Sequence, residues 1–414
     1  MAKQKVNIHT LDNGMTLVVE TMQEVSSAAF VFLVPMGSSY DPAGLTGTSS
    51  VLSDLLFRGA GAYDNRALNE RLDGLGLHRL SNVASLCSYL GGALAADNLW
   101  SALEIYADIL RRPRLGEEHF ELCRQLALQS LDSIEDDPRY KISLLVHEQY
   151  LPYPFGRPPP GHRDELELLP WATAQKCWQD RFVPAHTILA VAGKVDFRQI
   201  KKFVEEHFGD WEGAKLSELT PGQTQSRVFH QPYEGAQVHV GIMYPSVTYE
   251  HEEYYAALAA VGVLSGGMSG RLFTEVREKR GLCYAVGASH QVTAKYGAVR
   301  CYLGSTPDRA QEALDVTLGE LTKLGKGISQ DELDRAKVGL RASLIMQGES
   351  TSARALSCAR DMYHLKHVRS LSEIEGCIQA LKVKDVVDHV KGFTPTDFTV
   401  ATIGPKELRV DREE

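Results

Sequence analysis

The stretch "GTSSVLSDLLFRGAG", residues 47–61, decides how this chain is read. As a helix it places Val51 and Leu55, then Leu52 and Leu56, four apart on one buried stripe. Ser50, Ser53 and Asp54 fall on the other side, and Gly59 stands where a C-terminal stop is expected. Two positions four apart with a third between them suit a metal site. Two serines and one aspartate fill that geometry badly, because a catalytic zinc needs three good protein ligands.

The rest of the chain sets the frame. With 414 residues there is room for two domains of about 200 residues each. Hydrophobic residues make up 43% and charged residues 23%, enough apolar side chains for a sizeable core. The formal net charge is −9 without a basic block, which argues against a nucleic-acid partner. No run of 18 apolar residues occurs, so no membrane span is expected. The N-terminal residues lead straight into "VNIHTLDNGMTLVVE", a strand, an Asp-Asn-Gly turn and a second strand, with no apolar leader. Seven scattered cysteines, never as C-x-x-C, suggest free thiols in a reducing compartment, and the expected location is cytoplasmic.

The chain repeats itself at an offset of about 211 residues. "DNLWSALEIYADIL" from Asp97 meets "DRAQEALDVTLGEL" from Asp308, and Glu121-Leu122-Cys123-Arg124 meets Glu332-Leu333-Asp334-Arg335. Any one match is cheap for amphipathic helices; a constant offset over several segments is a duplication. Each half opens with strands, continues in helices and closes on a strand such as "TILAVAG" (187–193) or "DFTVATIG" (397–404). That segregation predicts an α+β fold: two homologous domains, each a mainly antiparallel sheet covered by helices on one face. The predicted boundaries are 1–212 for the N-terminal domain, 213–226 for a polar linker with Pro221-Gly222, and 227–414 for the C-terminal domain.

In order along the chain, "LDNGMTLVV", "LLFRG", "YPFGRPPPG", "FVPAHTILAVAGKVD" and "GGMSGRLFTEVREKRGLCYAV" resemble the pitrilysin/insulinase family of zinc peptidases, which includes the mitochondrial processing peptidases and small bacterial enzymes. The family's metal helix carries an inverted H-x-x-E-H: two His ligands, a Glu general base, and a distal Glu ligand further along. By resemblance those four positions fall on Ser50, Ser53, Asp54 and Ser130, all departures. No two of the 14 histidines stand four apart, and His364/His367 lacks a nearby Glu. No metal is therefore expected in this chain, and no activity from it alone.

The resemblance also assigns a substrate role to an Arg and a Tyr seven residues apart, here Arg277 and Tyr284. The local pattern puts Arg277 beside the stripe Leu272, Phe273 and Val276, half-buried, with Gly281 closing the helix and Tyr284 in a strand with Leu282 and Val286. Taken alone, such a pair is more often structural. The segment "LSGGMSG" (264–270) is expected to open that helix, with Gly266 and Gly267 either offering backbone N–H groups to a substrate or answering only to glycine's φ range.

The family's small bacterial members often act as heterodimers in which one chain brings zinc and the other the Arg/Tyr pair. The resemblance implies that this chain is the metal-free subunit, its partner a homologue with intact H-x-x-E-H and zinc, its substrate a peptide or unfolded segment. The alternative is a peptide-binding or scaffold protein without catalysis. New hydrolysis by Ser50, Ser53 and Asp54 ranks last, since no His lies beside them to activate a serine.

Overall fold

The computed structural model describes residues 4–410 apart from 215, 226, 294 and 394–397. Its strands are β1 (Lys5–Thr10), β2 (Thr16–Thr21), β3 (Ser27–Val34), β4 (Gly59–Ala60), β5 (Tyr63–Asp64), β6 (His78–Val83), β7 (Ser88–Ala95), β8 (Ile188–Gly193), β9 (Val228–Pro232), β10 (Val238–Ser246), β11 (Ala285–Val292), β12 (Gly297–Ser305) and β13 (Thr399–Gly404). The opening hairpin forms as its turn residues dictate: β1 and β2 pair antiparallel, and Gly14 takes φ +89° between them.

One sheet runs β1-β2-β8-β3-β7-β6 and the other β11-β12-β10-β13-β9. In the first, β2 pairs parallel with β8, then β8, β3, β7 and β6 follow antiparallel. In the second, β9 pairs parallel with β13, then β13, β10, β12 and β11 follow antiparallel. The same connection pattern occurs twice. The duplication read from the sequence is a duplication of topology, and the fold is α+β.

Two compact units result, and a single cut at the linker does not separate them. One unit comprises residues 1–132, 157–220 and 346–371, the other 133–156, 221–345 and 372–414. The helix Pro138–Tyr150, from the first half, belongs with the second sheet. The helix Thr351–Leu365, from the second half, belongs with the first. Each closes the second face of its sheet. In the first unit Val18, Ala29, Val31, Leu33, Ala190 and Ala192 point at Ala355, Cys358 and Ala359. In the second, Ile142 and Val146 sit against Gly241, where a Cβ would approach the Val146 side chain to 2.9 Å.

A buried ion pair fixes the first of these helices. Glu20 on β2 and Arg354 are 3% and 1% exposed. Arg354 Nε donates to Glu20 Oε2 at 2.9 Å, and its Nη2 lies 2.8 Å from the same oxygen. Gln4 donates to Oε1 at 2.8 Å, and Cys358 Sγ lies 3.4 Å from Oε2. Removing one partner strands the other charge in an apolar layer, which costs about 3–5 kcal/mol. Glu20→Leu or Arg354→Met alone is therefore expected to lower the urea midpoint sharply. The two together should recover most of the loss, because the face then becomes apolar throughout. Strictly additive losses would contradict this reading.

Candidate functional site

The helix Thr48–Leu55 forms where the pattern placed it and ends through a 3₁₀ turn, Leu56–Arg58, at Gly59 with φ +140°. Val51, Leu52, Leu55 and Leu56 are buried as expected. Its start is held by a group that pattern reading missed. Asp41, 3% exposed, accepts from the backbone N–H of Gly47 at 2.8 Å and of Ser49 at 2.9 Å, and from the Ser49 hydroxyl. A carboxylate at a helix start answers both the orphan N–H groups and the macrodipole.

The Pro-rich loop is latched onto the same end. Arg157 donates to the Asp41 carbonyl, Ser38 to the Arg157 carbonyl at 2.9 Å, and Thr46 N–H to Glu165 at 2.6 Å. Gly161, at φ +79°, lies so close that a Cβ there would meet the Thr46 carbonyl at 2.5 Å.

Three of the four positions of the degenerate metal pattern have other occupation. Ser50 Oγ donates to the Pro159 carbonyl at 2.6 Å, so the first ligand position is spent on the Pro-rich loop. Ser53 shares a 2.9 Å hydrogen bond with Ser81 on the edge strand β6. Asp54 binds Arg58 at 2.7 Å. Its charge also acts on the Cys123 thiol, which burial first and Asp54 second push up to about 12. Ser130 is exposed on the helix Glu117–Glu135. These residues do not fit zinc: three are neutral hydroxyls and the one carboxylate is tied to a guanidinium. Among the described residues no group of three or more His, Cys, Asp or Glu could hold a metal ion.

Arg277 and Tyr284 are brought together, and differently from the sequence expectation. The helix carrying Arg277 is wound as a π-helix over Phe273–Glu278, a form enriched at functional sites. Leu272 and Val276 are fully buried, whereas Arg277 is exposed rather than half-buried. Its guanidinium lies 4.9 Å from the Phe273 ring centroid and 5.4 Å from that of Tyr284. Tyr284 precedes β11 instead of lying in a strand; its N–H reaches the Gly304 carbonyl at 3.1 Å, and its side chain is 77% exposed. Gly281 does close the helix, at φ +60°, its N–H on the Arg277 carbonyl at 2.9 Å.

Neighbouring charges leave Arg277 alone. Glu275 takes Lys279 at 2.6 Å and Arg280 at 2.8 Å, and among the described residues Arg277 makes no ion pair. Stacking on aromatics at an exposed position is worth about 0.5–1 kcal/mol, enough to orient the guanidinium without consuming its N–H donors. Burial raises the pKa of the neighbouring Cys283, with Arg277 opposing the shift.

In the glycine segment the two positions differ. Gly266 caps the preceding helix, Tyr254–Ser265: its N–H bonds the Gly262 carbonyl at 2.7 Å and is not free for a ligand. Gly267 supplies a φ of +136° that other residues rarely adopt.

Residues 16–157 match the insulinase domain of peptidase family M16, and residues 172–340 match the family's second domain, described as the peptidase M16 inactive domain. This chain belongs to the M16 family. It is 28% identical over 408 residues to an uncharacterized zinc protease of Mycobacterium bovis, covering 96% of this M16 chain and 92% of that protein. Two solved structures share its fold. A peptidase M16 inactive domain from Pseudomonas fluorescens has a TM-score of 0.89 at 18% identity, over 98% of this chain and 100% of that one. A protease from Helicobacter pylori also has a TM-score of 0.89, at 21% identity, over 97% and 100%.

The buried cap of this M16 chain has a pH signature. Desolvation raises the Asp41 pKa from 3.8 to about 6, against the hydrogen bonds from Ser49 and Gly47 and the charge of Arg157. A carboxyl with a folded pKa above its unfolded one favours the fold when protonated. Its contribution is present below about pH 4 and lost as the pH rises through about 6. Asp41→Asn is expected to flatten the pH dependence of unfolding free energy between those values, measured by urea titration at several pH values. An unchanged slope would show that Asp41 titrates normally.

Proposed function

We propose that this chain is the metal-free subunit of a two-chain peptidase, lending Arg277 and Tyr284 to the active site of a zinc-bearing homologue. The observation that carries this reading is the pairing of an unpaired, exposed guanidinium with an exposed tyrosine, stacked and aimed outward from a π-helix. A structural arginine in so charged a helix would normally engage the neighbouring carboxylates; here Glu275 is held by Lys279 and Arg280 instead.

The chemistry of the pair fits a peptide. A guanidinium donates charge-assisted hydrogen bonds to a backbone carbonyl, and a phenol donates to oxygen as negative charge develops on it. Both are exposed here and gain strength when a partner and substrate exclude water. The kinship with zinc proteases supports metallopeptidase ancestry. Ser50, Ser53 and Asp54 keep their own internal bonds and Ser130 is an exposed neutral hydroxyl, so on this reading the metal and the general base belong to the partner.

The test compares peptide cleavage by this chain, by its nearest H-x-x-E-H homologue, and by the two co-purified. Activity is expected only from the mixture. Arg277→Ala with Tyr284→Phe should reduce kcat/KM by about a hundred- to a thousandfold, the usual effect of removing transition-state donors. Both sites are surface positions, so the thermal midpoint should stay close to wild type. An inactive mixture, or full activity in the double variant, would overturn the proposal and leave a binding or scaffold role.

A further inference from the structure

A groove in the first unit, remote in sequence from Arg277 and Tyr284, carries unspent binding chemistry. It has a volume of about 620 Å³, within the usual range of small-ligand pockets. One wall is a single face of the helix Trp171–Arg181, whose residues 172/173, 176/177 and 180/181 recur four apart. At 1.5 Å per residue that face runs for about 13 Å. Tyr40, with Pro42 and Leu45 from the loop leading into the helix Thr48–Leu55, and Leu216 also line the groove.

The polar content is asymmetric. Arg181 lies flat on Tyr40, its guanidinium carbon 3.7 Å from the ring centroid. Its Nη1 is buried with no hydrogen-bond partner, and among the described residues Arg181 makes no ion pair. The acid in the groove, Asp180, is matched by Lys176 at 2.9 Å. Nη1 itself is closed off, so a ligand in the groove meets the remaining edge of this half-buried guanidinium, for which the described residues supply no acceptor.

We infer that this groove binds a carboxylate carried on a short apolar body, the carboxylate accepting from Arg181 and the body lying along Pro42, Leu45, Ala172 and Leu216. A carboxylate matches the planar guanidinium edge. A phosphate, with its larger charge, would call for more donors than one guanidinium supplies. The apolar surroundings ask for a hydrocarbon body, which an apolar peptide C-terminus or a medium-chain fatty acid would provide.

The experiment uses the full chain with three probes: N-acetyl-Ala-Leu as the free acid, the same dipeptide as its C-terminal amide, and octanoate. Binding is followed by isothermal titration calorimetry. The free acid or octanoate is expected to bind saturably, with the amide about ten- to a hundredfold weaker than the acid. Tighter binding of the dipeptide identifies peptide C-termini as the source; tighter binding of octanoate identifies fatty acids. Arg181→Met should cost a similar factor. Because Arg181 also stacks on Tyr40, Ala172→Trp serves as the second variant: it is exposed, keeps the guanidinium and fills the groove. Equal affinity for acid and amide, no saturable binding of either acid, or undiminished binding in a folded Ala172→Trp protein would overturn the inference.

Discussion

A carboxylate buried in an apolar layer is the constraint around which the first unit is organised. Glu20 occupies a position on β2 that alternation directs onto the same face as Val18, among Ala29, Val31 and Leu33. Left unpaired there, it would be expensive. Arg354, Gln4 and Cys358 compensate it together, and only one placement of the helix Thr351–Leu365 brings both Arg354 and Cys358 to it. The ion pair thus selects a partner and a register for a helix that arrives from far along the chain. It need not add net stability to do so, which is the usual balance for buried pairs.

The corresponding helix of the second unit, Pro138–Tyr150, is held by different means. Ile142 and Val146 close on Gly241, whose missing side chain permits the approach, and Arg300 donates to Ser143 at 2.7 Å. One topology therefore carries two solutions to one problem, covering the second face of a sheet. Duplication preserved the connection pattern while the contacts that lock it diverged.

Much of this was legible in local sequence. The opening hairpin, the helix beginning at Thr48, its stop at Gly59 and the repeat all follow from turn chemistry and periodicity. The exchange of helices was not legible, because an amphipathic helix announces an apolar face without naming the sheet it will cover. Arg354 in "TSARALSCARDMYHL" looks like any surface charge until Glu20 is brought to it. At the candidate site, the spacing of Arg277 and Tyr284 was legible, but the π-helical winding that exposes Arg277 has no sequence signal. Asp41, which holds the start of the degenerate metal helix, carried only a weak one: an acid six residues before Gly47.

Two surfaces of the chain thus hold donors that the other described residues leave open, the outward Arg277/Tyr284 pair and the inward Arg181, while Ser50, Ser53 and Asp54 of the metal pattern, earlier in the sequence than both, are closed by their own hydrogen bonds. The central claim is that the outward pair meets a substrate presented by a zinc-bearing partner. A photoreactive benzoylphenylalanine in place of Tyr284 tests it most directly, with a labelled peptide and the co-purified partner inactivated by chelation. The account predicts a covalent link from this residue to the peptide in the mixture and none with this chain alone. A link that forms equally well without the partner, or none in the mixture while the two chains remain bound, would contradict it.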